Sequence, residues 1–335
     1  MNSGTKTNVL RKELNELNPA SAYGNRGILR SLLTTLRPHQ WTKNLFVLAP
    51  LLFGQKIGDT HAVSNALIGF VAFCLLSSTV YIFNDWWDAD EDRLHPEKRN
   101  RPISSGALSP GLALLTAALL VGSSIALGLL ISQLFVVICV LYAILMAAYC
   151  IWVKRAIVLD AMTIAGGFVL RVLAGAVAVG VSATHWLIAC TFLLALFLAF
   201  SKRRQEILEL QDDAAGHREV LSLYSVTYLD SVINVVVGAA IVCYALYAVA
   251  PETVARFGTD ALVYGTAFVL YGMLRYLALI RDSSKGGNPA KLLLSDMPLA
   301  LAIVGWAVYN AGVIYRTHLV DVLPNFIKHF ILSSF

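Results

Sequence analysis

An acidic segment follows one of the long apolar stretches of the sequence, at YIFNDWWDADEDRLHPEKRNRPISSG, residues 81–106. On a helix that turns by about 100° per residue, Asp85, Asp88 and Asp92 fall within an arc of about 60°. The two acidic residues between Asp88 and Asp92 point elsewhere. Three carboxylates on one face suit a hard divalent cation, and Mg²⁺ prefers oxygen ligands that it often shares with substrate phosphates. The spacing therefore predicts a magnesium site. The alternative is that these carboxylates only solvate a helix end.

Basic side chains come directly after this acidic face. Lys98, Arg99 and Arg101 lie between Pro96 and Pro102, and two prolines restrict the segment and end any helix. Arginine offers a forked pair of donors to phosphate oxygens. Basic groups this close to a predicted metal site indicate that the segment binds a phosphate or diphosphate. The alternative is a loop whose positive charge only sets membrane orientation.

These charges stand in a chain that is otherwise apolar, with 57% hydrophobic and 14% charged residues and a net charge of +5. A soluble domain carries about 25% charged residues, so the composition excludes an ordinary soluble protein and excludes disorder or nucleic-acid binding as the main theme. A helix needs about 20 apolar residues to cross a bilayer. The predicted spans are 36–53, 62–84, 108–130, 133–152, 157–180, 185–201, 229–250, 260–280 and 294–315.

The basic residues are distributed unevenly about these spans. With a cytoplasmic N-terminus, 21 of the 26 lysines and arginines fall on the cytoplasmic side, as the positive-inside rule requires. The sequence therefore predicts a multi-pass protein of the inner (plasma) membrane with an external C-terminus. Residues 1–28 are predicted to form a polar extension without the apolar core of a signal peptide. Residues 317–335 are predicted to be a short tail.

The fifth predicted span carries two charged residues, Asp160 and Arg171, which are eleven positions apart. They are about 20° apart around the helix and roughly 16 Å apart along it. An arginine this deep in a membrane usually faces a bundle interior or a cavity. Arg171 is therefore predicted to contact a phosphate, with an internal ion pair that only holds helices together as the alternative.

Other polar candidates lie near the predicted membrane boundaries. The segment SKRRQE after span six places Lys202 and Glu206 four residues apart on one helical face, with Arg203 beside them. Tyr81 precedes Asn84 by three residues and so shares its helical face. The histidines show no metal-ligand spacing with one another or with cysteine, so no zinc site is predicted. The remaining candidates are Lys43 and Asn44, where the chain enters the first span, and Lys154, before span five.

Together these segments resemble the UbiA-type polyprenyl transferases, integral membrane enzymes that bind Mg²⁺ and a diphosphate substrate. The likeness covers about residues 30–315. Within the family, these segments most resemble the decaprenyl-phosphate phosphoribosyltransferase branch. It is carried by the acidic segment and by LRPHQWTKNLFVLAPLLF, YCIWVKRAIVLDAMTIAGGFVLRVLAGAVA, SKRRQE and LRYLALIRDSSKGGNPAKLLLSD.

The resemblance implies an all-α integral membrane protein, with nine transmembrane helices in a UbiA-like bundle over residues 29–316 around a central cavity open to the cytoplasm. It implies Mg²⁺-dependent transfer of a 5-phosphoribosyl group from phosphoribosyl diphosphate (PRPP) to a polyprenyl phosphate lipid, for a precursor of cell-envelope glycan. The acidic triad would hold the metal. The donor-binding residues implied are Lys43, Asn44, Tyr81, Asn84, Lys98, Arg99, Arg101, Lys154, Asp160, Arg171, Lys202, Arg203 and Glu206.

Two alternatives stay open at this point. One is an aromatic-acceptor or tetrapyrrole prenyltransferase of the same superfamily, and against it SKRRQE stands where many aromatic-acceptor members carry a second DxxxD. The other is a transporter or lipid-binding membrane protein, and against it the charges concentrate at one membrane face, with only Arg171 deep in a span. The expected partners are PRPP, the lipid phosphate and the membrane, with no nucleic acid, and homo-oligomer formation is left open.

Overall fold

The computed structural model describes residues 27–210, 223–281 and 295–316. All regular secondary structure in these ranges is helical. The α-helices are α1 (Ile28–Leu36), α2 (Ala49–Phe53), α3 (Thr60–Trp87), α4 (Ala89–Leu94), α5 (Pro110–Ile131), α6 (Gln133–Ile151), α7 (Leu159–Val179), α8 (His185–Leu210), α9 (Val226–Val249), α10 (Pro251–Phe257), α11 (Thr266–Arg281) and α12 (Met297–Ile314). Four 3₁₀ helices lie in the same ranges, at Pro38–Leu48, Lys98–Asn100, Val153–Arg155 and Ala261–Gly265.

In the described part of the chain, eight helices are long and apolar enough to cross a membrane. They are α3, α5, α6, α7, α8, α9, the 3₁₀ turn continued by α11, and α12. The first predicted span, 36–53, is not among them, so the expected nine are not confirmed. It consists of the 3₁₀ helix Pro38–Leu48 and the five-residue α2. Proline and polar side chains crowd the start of this segment, which explains why it does not form one long α-helix.

Short polar side chains begin several of the long helices. The Oδ1 atom of Asp59 accepts hydrogen bonds from the backbone N–H groups of His61 and Ala62, both at 3.1 Å, at the start of α3. Four further side chains accept from the backbone N–H three positions ahead. They are Ser109 before α5, Ser132 before α6, Ser225 before α9 and Asp296 before α12. Such caps satisfy N–H groups that have no partner within the helix.

The described residues fall into two compact units. The first comprises 27–45 and 68–152, the second comprises 46–67 and the described residues from 153 onward, and α3 contributes to both. In the first unit, Ile82, Ile103 and Leu108 pack with apolar side chains of α1 and α5. The hydroxyl of Ser124 on α5 donates to the carbonyl of Ala72 on α3 at 3.0 Å. This packing fixes the end of α3 on which the acidic segment stands.

In the second unit, α8 packs against both α7 and α9. Its core contains fully buried side chains from α9 and α11, including Leu229, Ile233 and Tyr276. Gly175 of α7 lies directly against the backbone carbonyl of Val47, at a separation that leaves no room for a Cβ atom. Helices α7 and α8 of this unit also carry buried charged side chains, namely Asp160 and Arg171 on α7 and Arg203 and Arg204 on α8.

Candidate active site

The acidic segment lies at the junction of α3 and α4. Asp88 separates the two helices with φ −90° and ψ 6°, a small departure from helical geometry. The helical hydrogen bonds continue through the junction, because the N–H of Asp88 donates to the carbonyl of Asn84 at 2.9 Å and the N–H of Asp92 donates to that of Asp88 at 2.8 Å. Asp85 and Asp92 are consequently both buried, 1% and 3% exposed, while Asp90 and Glu91 face solvent.

The carboxylates of Asp85 and Asp92 converge on one guanidinium nitrogen. Nη1 of Arg101 donates to Oδ1 of Asp85 at 3.0 Å and to Oδ2 of Asp92 at 2.6 Å. Burial raises the pKa of the Asp92 carboxyl above its ordinary value, and Arg101 and Lys98 act in the opposite direction. Asp85 and Asp92, two of the three aspartates predicted to share a face, thus have a common partner. Arg101 of the predicted phosphate-binding segment and Asp85 and Asp92 of the predicted acidic face therefore belong to one charge cluster. The metal-binding role of the triad, Asp88 included, stays a prediction.

A second arginine that the sequence reasoning did not single out, Arg37, completes this cluster. Its Nη2 donates to Oδ1 of Asp85 at 2.6 Å, and its guanidinium carbon lies 5.0 Å from the centroid of the Tyr81 ring. Arg37 follows the last residue of α1 with φ 52°, in the left-handed region that non-glycine residues rarely adopt. The sequence signals for it are its position before Pro38 and its place in LRPHQWTKNLFVLAPLLF, one of the segments that carry the resemblance.

The donor set of this cluster fits Mg²⁺. The carboxylates of Asp85 and Asp92 are both directed toward one cationic group. Carboxylate oxygens are also the ligands that Mg²⁺ prefers. Among the residues that the structure describes, no three histidine, cysteine or acidic side chains gather closely enough to hold a metal ion. Because Mg²⁺ is commonly bound through one or two carboxylates and substrate phosphates, two carboxylates suffice for the fit.

The other predicted residues of the first unit surround this pair to different degrees. Lys98 is half-buried and Arg99 is exposed, both in the 3₁₀ turn that leads to Arg101. Asn84, on the helix that carries Asp85, and Asp88, at the junction that follows it, are both half-buried. Of these residues, Lys98 lies close enough to Asp92 to oppose the rise in its pKa that burial causes. The donor-binding roles of Arg99 and Asn84 stay predictions.

Lys43 and Asn44, the two candidates near the N-terminus, differ in their exposure to solvent. Lys43 is exposed, whereas Asn44 is completely buried. The side-chain amide of Asn44 donates to Oγ of Ser77 at 3.1 Å and to Sγ of Cys74 at 3.4 Å, which joins the 3₁₀ helix to α3. This geometry gives Asn44 a structural role. Its contact with phosphate stays a prediction.

In the second unit, Asp160 and Arg203 form a fully buried ion pair. Nε of Arg203 donates to Oδ2 of Asp160 at 2.7 Å, and these side chains are 2% and 0% exposed. The hydroxyl of Tyr224 donates to Oδ1 of Asp160 at 2.8 Å and accepts from the backbone N–H of Val158 at 2.6 Å. Val158 has φ 68°, a strained value for a β-branched residue. Both carboxylate oxygens of Asp160 thus accept hydrogen bonds from protein groups. No sequence signal identified Tyr224 as one of these groups.

The charged segment of α8 divides between the interior and the surface. Nη1 of Arg203 also donates to Oε2 of Glu206 at 2.6 Å, while Lys202, 57% exposed, pairs with Oε1 of the same glutamate at 3.6 Å. The predicted pairing of Lys202 with Glu206 is therefore confirmed, and Arg203 adds the inward contact. Arg204, which received no role from the sequence, binds Asp230 through Nε at 2.8 Å and the carbonyl of Ile280 through Nη1 at 2.7 Å.

Arg171 and Lys154 are both buried in the second unit, and for Arg171 this agrees with the prediction that it faces an interior. Nη1 of Arg171 donates to the carbonyl of Gly167 at 3.0 Å, one turn earlier on α7, and its guanidinium carbon lies 5.2 Å from the centroid of the Phe168 ring. A contact between either side chain and phosphate stays a prediction. Residues 1–26 of the predicted extension 1–28 and the tail 317–335 lie outside the described residues.

The fold and the site together define a helical integral membrane protein with buried clusters of opposite charges. Residues 46–314 match the UbiA prenyltransferase family, and the chain belongs to this family. It is 34% identical to a decaprenyl-phosphate phosphoribosyltransferase of Corynebacterium glutamicum over 297 residues, which cover 87% of this chain and 88% of that protein. It is 31% identical to the enzyme of the same name from Mycolicibacterium smegmatis over 300 residues, covering 87% and 94%.

Solved structures show the same fold. A UbiA homologue from Archaeoglobus fulgidus, bound to DMAPP and Mg²⁺, matches with a TM-score of 0.64 and 18% identity, over 88% of this chain and 100% of that one. The same homologue bound to GPP and Mg²⁺ also has a TM-score of 0.64. At this identity the likeness establishes the fold alone, and the expectation of a UbiA fold is confirmed.

Proposed function

We propose that the protein catalyses Mg²⁺-dependent transfer of a 5-phosphoribosyl group from PRPP to a polyprenyl phosphate, with release of diphosphate. The relatives named as decaprenyl-phosphate phosphoribosyltransferases match it over most of both chains. The A. fulgidus homologue that shares the fold binds Mg²⁺ together with a prenyl diphosphate. Both comparisons support chemistry on a diphosphate-bearing donor at a membrane.

One observation supports this proposal above the others, namely the convergence of Asp85 and Asp92 on Arg101. The pair of carboxylates can hold a divalent cation, and the arginine that they orient can bind the anion that the cation accompanies. A site with acidic and basic groups in direct contact is suited to a metal-bound diphosphate. A uniformly acidic site would repel the free phosphate that PRPP also carries.

The reaction then needs placement and charge stabilisation more than proton transfer. The bond from C1 of the ribose to the diphosphate breaks as a new bond forms to an oxygen of the acceptor phosphate, which is already anionic and needs no general base. When bound, Mg²⁺ neutralises the diphosphate leaving group. Arg101 and Lys98 would hold the diphosphate oxygens while Asp85 and Asp92 orient Arg101. The roles predicted for Lys43, Arg99 and the charged residues of the second unit belong to this proposal.

The decisive experiment supplies the purified protein with labelled PRPP, polyprenyl phosphate and Mg²⁺, and in parallel with polyprenyl diphosphate and an aromatic acceptor. Lipid-linked phosphoribose in the first mixture alone supports the proposal. Product in the second mixture alone would show that the chain is a prenyltransferase of the same fold. Absence of product from both mixtures, with a protein that its thermal unfolding curve shows to be folded, would contradict both assignments.

We also propose that residues 36–53 form a ninth crossing, with the N-terminus and the charged face cytoplasmic. A 3₁₀ helix rises by about 2.0 Å per residue and an α-helix by about 1.5 Å. Pro38–Leu48 and α2 together are therefore long enough for a hydrocarbon core of about 30 Å. A reporter that is active only outside the cytoplasm, fused after Arg316, should be active if there are nine crossings. An inactive fusion with a matched active cytoplasmic reporter would indicate eight.

A further inference from the structure

His95 is buried within an otherwise exposed connection between α4 and the basic turn. Its residue is 7% exposed, whereas Leu94 immediately before it is 88% exposed, and Pro96 and Glu97 after it are exposed as well. Histidine is a polar residue, so burial at such a position requires a hydrogen-bonding reason. The functional proposal above gives His95 no role.

The reason is a pair of backbone hydrogen bonds to the same ring nitrogen. Nδ1 of His95 accepts from the N–H of Glu97 at 3.2 Å and from the N–H of Lys98 at 3.3 Å. A ring nitrogen that accepts carries no proton, so these contacts fix the tautomer with the proton on Nε2. The imidazole therefore does what an aspartate or asparagine side chain does in an Asx turn, where it binds the backbone two residues further on.

This pair of hydrogen bonds shapes the segment that carries the basic residues. The carbonyl of His95 accepts from the N–H of Arg99 at 3.1 Å, and the N–H of Arg101 donates to the carbonyl of Lys98 at 2.9 Å. The turn closed by the His95 ring thus sets the direction in which Arg101 leaves the backbone. From there Arg101 reaches Asp85 and Asp92.

We infer that His95 is a positioning residue, which acts through the backbone of Glu97 and Lys98 to hold the basic turn in the conformation that binds diphosphate. The inference rests on the proposed function, since it assigns the basic turn to the diphosphate of the donor. A positioning role and a direct contact with substrate require different atoms of the imidazole ring. Positioning depends on the acceptor Nδ1, while a direct contact to an anion would depend on the N–H at Nε2.

Substitution distinguishes these two atoms. In His95→Asn the side-chain oxygen can take the place of Nδ1 and form the same turn, while the donor at Nε2 is lost. In His95→Gln the amide extends to the region of Nε2, and its length no longer suits the turn. His95→Leu removes both functions and keeps the bulk. Leu94→Ala, at the exposed neighbouring position, is the matched control.

The measurement is binding of inorganic diphosphate in the presence of Mg²⁺ by titration calorimetry, together with KM and kcat for PRPP. We expect His95→Leu and His95→Gln to weaken diphosphate binding and raise KM for PRPP by about tenfold, the size that loss of one or two net hydrogen bonds supports. His95→Asn should stay within about twofold of wild type, as should Leu94→Ala. Thermal unfolding of each variant shows whether it is folded.

Two results would overturn the inference. The first is wild-type diphosphate binding by folded His95→Leu. The second is rescue by His95→Gln and not by His95→Asn, which would identify Nε2 as the essential atom. If His95→Leu does not fold, the comparison of the Asn and Gln variants still decides. Because inorganic diphosphate binding involves neither ribose nor lipid, it tests the inference even if the wild-type protein uses another diphosphate donor.

Discussion

Arg37 and Asp85, 48 positions apart in the chain, are joined by a hydrogen bond of 2.6 Å from Nη2 to Oδ1. The same carboxylate oxygen accepts from Arg101 at 3.0 Å. Asp85 is thus held between two guanidinium groups, one from the end of α1 and one from the basic turn after α4. The two guanidinium groups therefore offset the cost of burying this side chain.

Replacement of Arg37 should destabilise the protein. Arg37→Ala leaves the Asp85 carboxylate buried with only Arg101 beside it, and we expect a loss of about 1–3 kcal/mol in the free energy of unfolding. Thermal unfolding in detergent measures the change. Arg30→Ala is the control, because Arg30 is exposed on the same helix. Equal unfolding temperatures for the two variants would show that the ion pair adds nothing to stability.

Neutralisation of the converging aspartates should abolish activity without unfolding the protein. We expect Asp85→Asn and Asp92→Asn each to lower kcat/KM by about a hundredfold or more, as when one preorganised charge is removed from a reacting site. Both variants should also need more Mg²⁺ for half-maximal rate. Asp90→Asn serves as control, since the Asp90 side chain is 92% exposed and forms an ion pair with Arg93, outside the cluster. Activity retained by either test variant would contradict the metal assignment.

The buried ion pair between Asp160 and Arg203 in the second unit should stabilise the fold. Arg203→Met leaves the fully buried Asp160 without its charged partner, and removal of one member of a buried pair costs about 3–5 kcal/mol. Lys202→Met, at the exposed neighbouring position, should change stability by less than about 1 kcal/mol. A double-mutant cycle with Asp160→Asn measures the coupling. Additive effects on stability, with a raised KM for PRPP instead, would assign the pair to donor binding.

Tyr224 should make stability depend on alkaline pH. Burial raises its pKa above the ordinary value of 10.0, opposed by the backbone N–H of Val158 and reinforced by Asp160. A folded-state pKa above the unfolded one stabilises the fold at lower pH, so this contribution is complete below about pH 10 and declines as the pH rises through and beyond that value. Unfolding temperatures measured from about pH 8 to pH 11 should therefore fall less steeply in Tyr224→Phe than in wild type.

The same substitution removes a donor to Asp160 and an acceptor for Val158, so Tyr224→Phe should also lose about 1–3 kcal/mol at neutral pH. Tyr228→Phe provides the control, because Tyr228 is 40% exposed and lies four positions further along, in α9. A pH dependence that Tyr228→Phe alters and Tyr224→Phe leaves unchanged would refute the assignment.

Gly175 should tolerate no side chain. A Cβ atom there would collide with the backbone carbonyl of Val47, which cannot move without displacing the whole 3₁₀ helix. We expect Gly175→Ala to lower the unfolding temperature and the yield of folded protein. Gly238→Ala, in a helix where a Cβ meets nothing within 4 Å, should instead be neutral or stabilising by up to about 1 kcal/mol. Equal behaviour of the two variants would contradict the close approach.

Periodicity and charge were enough to predict eight of the long helices and the common face of Asp85 and Asp92. Both depend on features within one segment, namely apolar length and the 100° step of a helix. The 3₁₀ conformation of Pro38–Leu48 was not predicted, because its polar start and apolar end support several conformations with similar local preference. For the same reason the ninth crossing was assigned from composition and stays a prediction.

The sequence by itself determined a membrane-embedded helical chain with an acidic helix end and a basic continuation, since bilayer thickness and backbone hydrogen bonding allow few other structures for such composition. Only the tertiary structure decided which charges meet. Arg37 joins Asp85 across 48 positions, and Tyr224 joins Asp160 across 64. Helical spacing relates residues within a single segment, whereas these partners are selected by how separate helices pack, and that depends on side-chain fit throughout each unit.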